Sequence, residues 1–243
     1  MKTKITNKTW ILALILPLAL MSCNKDVLPG ITGEGEIVSE TLDLADFTGF
    51  ANAVAADVYI SQGDVQEVII EAQQNIIDNL ELDRVENGFW TIKFDRWVRY
   101  AKPIKIYITI PTLDRAVISG SGKVVGETYF ADLADLELKI SGSGDMELDS
   151  DSDAIEITVS GSGDFDLTGE TGNLDVLISG SGDIDAFDLQ TVESKIRISG
   201  AGNARLSVAE YLEASISGSG SVYYRGNPEV DIHISGSGKV RKE

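Results

Sequence analysis

The tetrapeptide SGSG constrains this chain more than any other feature. It begins at Ser119, Ser141, Ser160, Ser179, Ser199, Ser217 and Ser235, at spacings of 22, 19, 19, 20, 18 and 18 residues, and only the copy at Ser199 departs, reading SGAG. A motif that recurs at a near-constant interval marks a stacked repeat architecture. On both sides of each copy the chain alternates apolar and polar residues, the period-two pattern of a strand with one buried face. Leu136, Leu138 and Ile140 lead into one copy and Met146 and Leu148 leave it; Ile155, Ile157 and Val159 lead into the next, followed by Phe165 and Leu167. Counted along an extended chain, Gly142 and Gly144 share the parity of Ile140 and Met146, and the same holds in every copy. The glycines therefore fall on the inward side and the serines on the outward side. Glycine is required where a Cβ would collide or where φ is positive, so SGSG reads as a tight corner.

A unit of two short strands and a corner cannot bury its apolar face alone, but copies stacked about 4.8 Å apart can. The expected fold is all-β, a solenoid of roughly 19-residue coils with SGSG corners. An antiparallel sandwich or barrel also uses short strands at regular spacing, but hairpins do not demand the same glycine pair at equal phase seven times. Residues 112–243 hold the regular repeats. Residues 37–111 are strand-rich but irregular, and are expected to form atypical coils that cap one end of a single domain spanning 37–243. Within them ADVYISQGD (56–64) looks like a degenerate corner, QQNIIDNL (73–80) a helical turn, and Asn87-Gly88 a hairpin turn. The closing KVRKE is suited to blunting the other end.

Residues 1–22 read as a signal peptide: Lys2, Lys4 and Lys8 precede an apolar run from Trp10 to Leu20, too short for an ordinary transmembrane helix. Cys23, the only cysteine, follows directly and resembles the acylated cysteine of a bacterial lipobox, with Met21 a departure from the smaller residues usual there. Residues 23–36, rich in glycine and polar residues, are expected to form a flexible tether. Segment 1–22 holds three lysines and no acid, so the remainder carries 17 basic and 39 acidic side chains, a net of −22. Such a charge disfavours nucleic acid, which calls for a basic footprint.

The lead-in ADVYISQGD, the junction IPTLDRAVISGSG, the serial ISGSGD corners and the closing GSGSVYYRGNPEVDIHISGSGKV together resemble the bacterial family called putative auto-transporter adhesin, head GIN domain. The resemblance covers about residues 40–240. It implies a right-handed β-helical domain carried on an envelope lipoprotein of Gram-negative bacteria, and it brings no catalytic residues.

Outward positions at equal phase should form columns. One runs Lys123, Asp145, Asp164, Asp183, Asn203, Ser221, Lys239; a second Val125, Glu147, Asp166, Asp185, Arg205, Tyr223, Arg241; a third Arg115, Glu137, Glu156, Asp175, Lys195, Glu213, Asp231. Three central coils are acidic in all of them. Asp145, Asp164 and Asp183 are candidate ligands for Ca²⁺, a cation that takes six to eight oxygens, set against the plainer reading of a solvated acidic face. RWVRYAK mixes aromatic and basic groups, and Arg96, Trp97, Arg99 and Tyr100 are candidates to stack a sugar or hold a polyanion; the plainer reading is a capped core end with snorkelling bases. The single histidine, His233, lies on a strand with no second His or Cys to form a metal or nucleophile site. The expected function is a non-catalytic, adhesin-like module of an outer-membrane lipoprotein, displaying side-chain columns to a glycan or surface protein. The alternative is a carbohydrate-active β-helix enzyme using paired carboxylates. Exposed solenoid edges leave a homo-oligomer open.

Overall fold

The structure, a computed structural model, describes residues 30–243. Segment 1–22 and Cys23 lie outside the described residues. The chain is a β-solenoid of about seven turns with roughly 19-residue spacing. Strands Phe130–Ile140, Asp145–Val159, Phe165–Ile178, Ile184–Ile198 and Asn203–Ile216 pair with one another in parallel, in sequence order. Register follows the motif: Ile140, Val159, Ile178, Ile198 and Ile216 stack in one inward column, and Met146, Phe165, Ile184, Ala204 and Val222 in another. All ten are buried. Each isoleucine so placed contributes about 1.5–3 kcal/mol by leaving water.

The corners join the coils as tightly as the strands do. Ser160 and Ser162 N–H donate to the carbonyls of Ile140 and Gly142 of the preceding coil at 2.9 and 3.0 Å, and the same pair of bonds recurs at each later corner. That bond sets the spacing, and the spacing decides the residue. A Cβ built on Gly161 would stand 2.9 Å from the Gly142 carbonyl carbon and closer still to its oxygen. Gly161 is thus dictated by the backbone of the preceding coil, while Gly163 would meet both the Gly144 carbonyl and, at 2.7 Å, the buried Ile140 side chain. Only one corner glycine, Gly236 with φ +150°, has a left-handed backbone, so steric approach is the general reason.

In the N-terminal part the order in space departs from the order in sequence. Gly49–Asn52 lies between Arg115–Ile118 and Phe89–Ile92, and Asp57–Gln62 between Lys123–Gly126 and Lys105–Ile110. The later segment, 89–110, is therefore the outermost coil. Beyond it Glu67–Gln73 runs antiparallel to Lys105–Ile110, and Ile37–Thr41 antiparallel to Glu67–Gln73. The helical turn Gln74–Ile77 follows, with Ile76 and Ile77 buried. Asn87 (φ 53°) and Gly88 (φ 75°) make the hairpin turn between Val85–Glu86 and Phe89–Ile92, the type I′ geometry that Asn-Gly favours. At the far end Glu229–Ile234 and Lys239–Lys242 each have one neighbouring strand among the described residues, leaving Ile232 and Ile234 exposed.

Candidate functional site

Superposing the coils by register shows what RWVRYAK is. Ile118 and Lys123 bracket an SGSG corner, and their partners in the coil below are Asn52 and, one step before Val58, Asp57. Asn52 and Asp57 in turn pair with Ile92 and Lys105. Four residues, Ala53–Ala56, make the corner in one coil, and twelve, Lys93–Ile104, occupy the same place in the outermost one. The degenerate corner expected at 56–64 is therefore 53–56, and ADVYISQ is its departing strand. Because the 93–104 loop swings outward, Ala53 and Ala55 stay exposed where at the SGSG corners a carbonyl of the adjacent coil approaches, and alanine and valine replace glycine.

The loop roofs a groove of about 830 Å³ floored by Ala53–Ala55 and walled by Phe94, Trp97, Tyr100 and Pro103. Trp97 is 56% and Tyr100 66% exposed. Lys93, Arg96, Arg99 and Lys102 accompany a single acid on the loop, Asp95. The structure thus brings Arg96, Trp97, Arg99 and Tyr100 onto one loop with an open face.

Two buried amides hold that loop. Asn79 Nδ2 donates to the Arg96 carbonyl at 2.8 Å while its Oδ1 accepts from Arg96 N–H at 3.1 Å. Gln73 Oε1 accepts from Lys102 N–H at 2.9 Å, and its Nε2 donates to the Gly35 carbonyl at 3.2 Å. Both lie far from the loop in sequence, and no local pattern marks them. Residues 30–36, assigned to a tether on composition, are tied into the fold. Ile31–Thr32 pairs in parallel with Val98–Tyr100; Ile31 N–H donates to Trp97 O at 3.1 Å and Gly33 N–H to Tyr100 O at 2.7 Å. Lys102 Nζ, donating to Glu36 at 2.8 Å, holds that carboxyl below the usual carboxylate range. Here glycine content reflects close packing, since the Trp97 indole lies where a Gly30 Cβ would be.

The aspartates after the corners, Asp145, Asp164 and Asp183, bond to the backbone of the adjacent coil. Asp145 Oδ1 accepts from Asp164 N–H at 3.3 Å, Asp164 Oδ1 from Asp183 N–H at 2.7 Å, and Asp183 Oδ1 from Asn203 N–H at 2.7 Å. Asn203 Oδ1 continues to Ser221 N–H at 3.1 Å. The column is a ladder in which each side chain caps the backbone of the next coil. Among the described residues no group of three or more His, Cys, Asp or Glu is placed to hold a metal ion.

The other two columns stack in the expected register. Bases on flanking coils close onto the acidic run, Lys123 on Glu147 at 2.6 Å, Arg197 on Asp175 at 3.3 Å and Arg205 on Asp185 at 3.7 Å, while Lys195 turns away from it to Glu213 at 2.6 Å. Asp166 has acids on either side, and desolvation together with Asp185, Glu147 and Asp188 pushes its carboxyl up. On the other flank, Asp114, Asp135, Glu137, Glu156 and Asp175 line an open cleft of about 610 Å³ with Arg115, which pairs with Glu137 at 2.5 Å and lies 5.5 Å over the Phe89 ring. His233 is exposed, 3.5 Å from Asp231.

A family model for the putative auto-transporter adhesin, head GIN domain, matches residues 46–228. The chain belongs to this family. Solved structures with the same fold include a putative adhesin from Bacteroides fragilis NCTC 9343 (23% identity, 88% of this chain and 100% of that one, TM-score 0.81). A putative lipid binding protein from Parabacteroides distasonis ATCC 8503 has 23% identity, the same coverage and a TM-score of 0.74. A putative adhesin from Parabacteroides merdae ATCC 43184 has 20% identity, 88% and 99% coverage and a TM-score of 0.71. No curated protein matches.

Proposed function

We propose that this head GIN domain is the binding module of a cell-envelope lipoprotein, held on the outer membrane through acylated Cys23, that presents its side-chain columns to a glycan or protein partner without catalysis. The observation that carries the reading is the register. Arg115, Glu137, Glu156, Asp175, Lys195, Glu213 and Asp231 repeat at one position on seven successive coils, on a backbone whose corners are hydrogen-bonded as closely as its strands. Such an array is preorganised, so a partner that is itself repetitive binds it without ordering loops. Carboxylates at about 4.8 Å intervals accept hydrogen bonds from sugar hydroxyls or pair with basic side chains of a protein. The adhesin description of the family and of two solved relatives accords with this use.

A hydrolase or lyase needs two carboxylates set apart from the rest by environment. Here the acids recur at equal phase on successive coils, which favours display over catalysis. The test is a glycan array probed with the chain bearing Cys23→Ser. Binding that weakens when Glu137, Glu156 and Asp175 are changed together to amides, and only slightly when each is changed alone, supports the module. Cleavage of any arrayed glycan that is abolished by one acid substitution overturns it.

A further inference from the structure

We infer that the 93–104 loop is a membrane-docking face, seated at the headgroup level of an anionic phospholipid surface and setting the solenoid on its end. The inference rests on the anchoring through Cys23 proposed above. Cys23 lies seven residues before Gly30, a reach of at most about 25 Å for a fully extended chain. Gly30 is pressed against the Trp97 indole, and Ile31–Thr32 pairs with Val98–Tyr100. Gly30, the first described residue after Cys23, lies against Trp97, and the short reach from Cys23 therefore keeps this loop beside the bilayer.

The composition of the loop suits that place. Tryptophan and tyrosine are enriched where an apolar ring body and a polar tip meet the membrane–water boundary. Trp97 and Tyr100 are the two aromatic side chains most exposed at this end. Lysine and arginine near an anionic surface are each attracted to it, and Lys93, Arg96, Arg99 and Lys102 stand together in a chain that is otherwise strongly acidic. Lys93 also faces Glu81 at 3.9 Å and Lys102 pairs with Glu36, whereas Arg99 is exposed. The rest of the protein, at a net −22 beyond the signal segment, is repelled by the same surface. Attraction at one end and repulsion along the flanks orient the solenoid away from the bilayer and leave its columns clear for a partner.

The test uses the mature protein extracted from membranes and reconstituted into vesicles of phosphatidylcholine and phosphatidylglycerol with brominated acyl chains. Beyond the signal segment the chain keeps two tryptophans, the wholly buried Trp90 and the exposed Trp97. Bromolipid should quench roughly half of the emission, the share of an indole lying at the interface. Trp97→Phe should abolish the quenching, and Arg99→Glu should reduce it. Quenching no greater than in Trp97→Phe overturns the inference while leaving the anchor intact if the mass of the same sample shows acylation. If the mass shows none, the anchoring reading fails by itself. The docking is then measured on the chain coupled through the Cys23 thiol to a maleimide lipid, where persisting quenching upholds it and absent quenching overturns it. An emission shift of Trp97 with heparin, without bromolipid quenching, overturns it in favour of a glycan in the groove.

Discussion

Replacing Gly161 with alanine tests the reason for the corner motif. The new methyl would meet the Gly142 carbonyl carbon at 2.9 Å and its nitrogen at 3.3 Å, where carbon atoms rest at about 3.5–4.0 Å. Relief requires the two coils to part by roughly an ångström at the corner. That movement breaks the Ser162 N–H bond to Gly142 O, now 3.0 Å, and stretches the Ser160 bond to Ile140 O, now 2.9 Å. Overpacking costs about 1–3 kcal/mol and each lost bond about 0.5–1.5 kcal/mol. Against this, alanine reduces the entropy of the unfolded chain by an amount worth about 0.4–1 kcal/mol. The net expectation is a loss of about 1–4 kcal/mol, a large part of the stability of an ordinary domain. The neighbouring Ser162→Ala touches only an exposed hydroxyl and should stay within about 0.5 kcal/mol of the parent. Urea unfolding of both variants followed by circular dichroism, with hydrogen exchange to show whether unfolding starts at that corner, decides the matter. If Gly161→Ala unfolds at the same urea concentration as Ser162→Ala, the neighbouring carbonyl is not what demands glycine.

The aspartate ladder makes a distinction that calcium chemistry would not. Asp164→Asn keeps the oxygen that accepts from Asp183 N–H and should be close to neutral, while Asp164→Ala should lose about 1 kcal/mol; both should melt alike in EDTA and in millimolar Ca²⁺. A Ca²⁺-specific rise in Tm that Asp164→Asn abolishes would refute the ladder as the whole explanation. Asp166, pushed up by desolvation and by Asp185, is more readily protonated folded than unfolded. Its ionised form therefore costs stability, a cost absent below the unfolded pKa of about 3.9 and complete above the folded one. Asp166→Asn should stabilise the chain at pH 7 by roughly a few tenths of a kcal/mol, since water and salt screen the site, and the gain should vanish below about pH 4; a gain independent of pH in paired melts contradicts this sign. Asn79→Ala removes both partners of the Arg96 backbone and should raise hydrogen exchange across 93–102 far more than in the regular coils. Uniform protection would mean that the loop is held by something else.

Much of the fold was legible because a solenoid translates sequence phase directly into position in space. Once coils repeat at about 4.8 Å with near-equal length, residues at equal offset from the corner must stack, so the columns of Glu137, Glu156 and Asp175 follow from counting alone. The turn at Asn87–Gly88 was legible for the opposite reason: its positive φ angles are a local demand met by local residues. The candidate site was legible only in part. Its aromatic and basic residues stand together in sequence, but Asn79, Gln73 and Gly30, which fix it, do not.

Sequence alone determined the repeat, the inward and outward faces, the corners and their register, all set by spacings of fewer than about two dozen residues. Tertiary structure decided three things. It placed Gly49–Asn52 between two segments that follow it in the chain, because every parallel strand here offers the same kind of ladder and no local pattern names its neighbour. It turned the SGSGD aspartates into caps for adjacent backbone, a contact between coils that composition reads equally well as a cation site. And it opened the outermost corner into the 93–104 loop. The end coil is followed on its outer side by no further SGSG corner, only by antiparallel Glu67–Gln73 along its Lys105–Ile110 strand, and only the stacking of the whole chain shows which coil is the end.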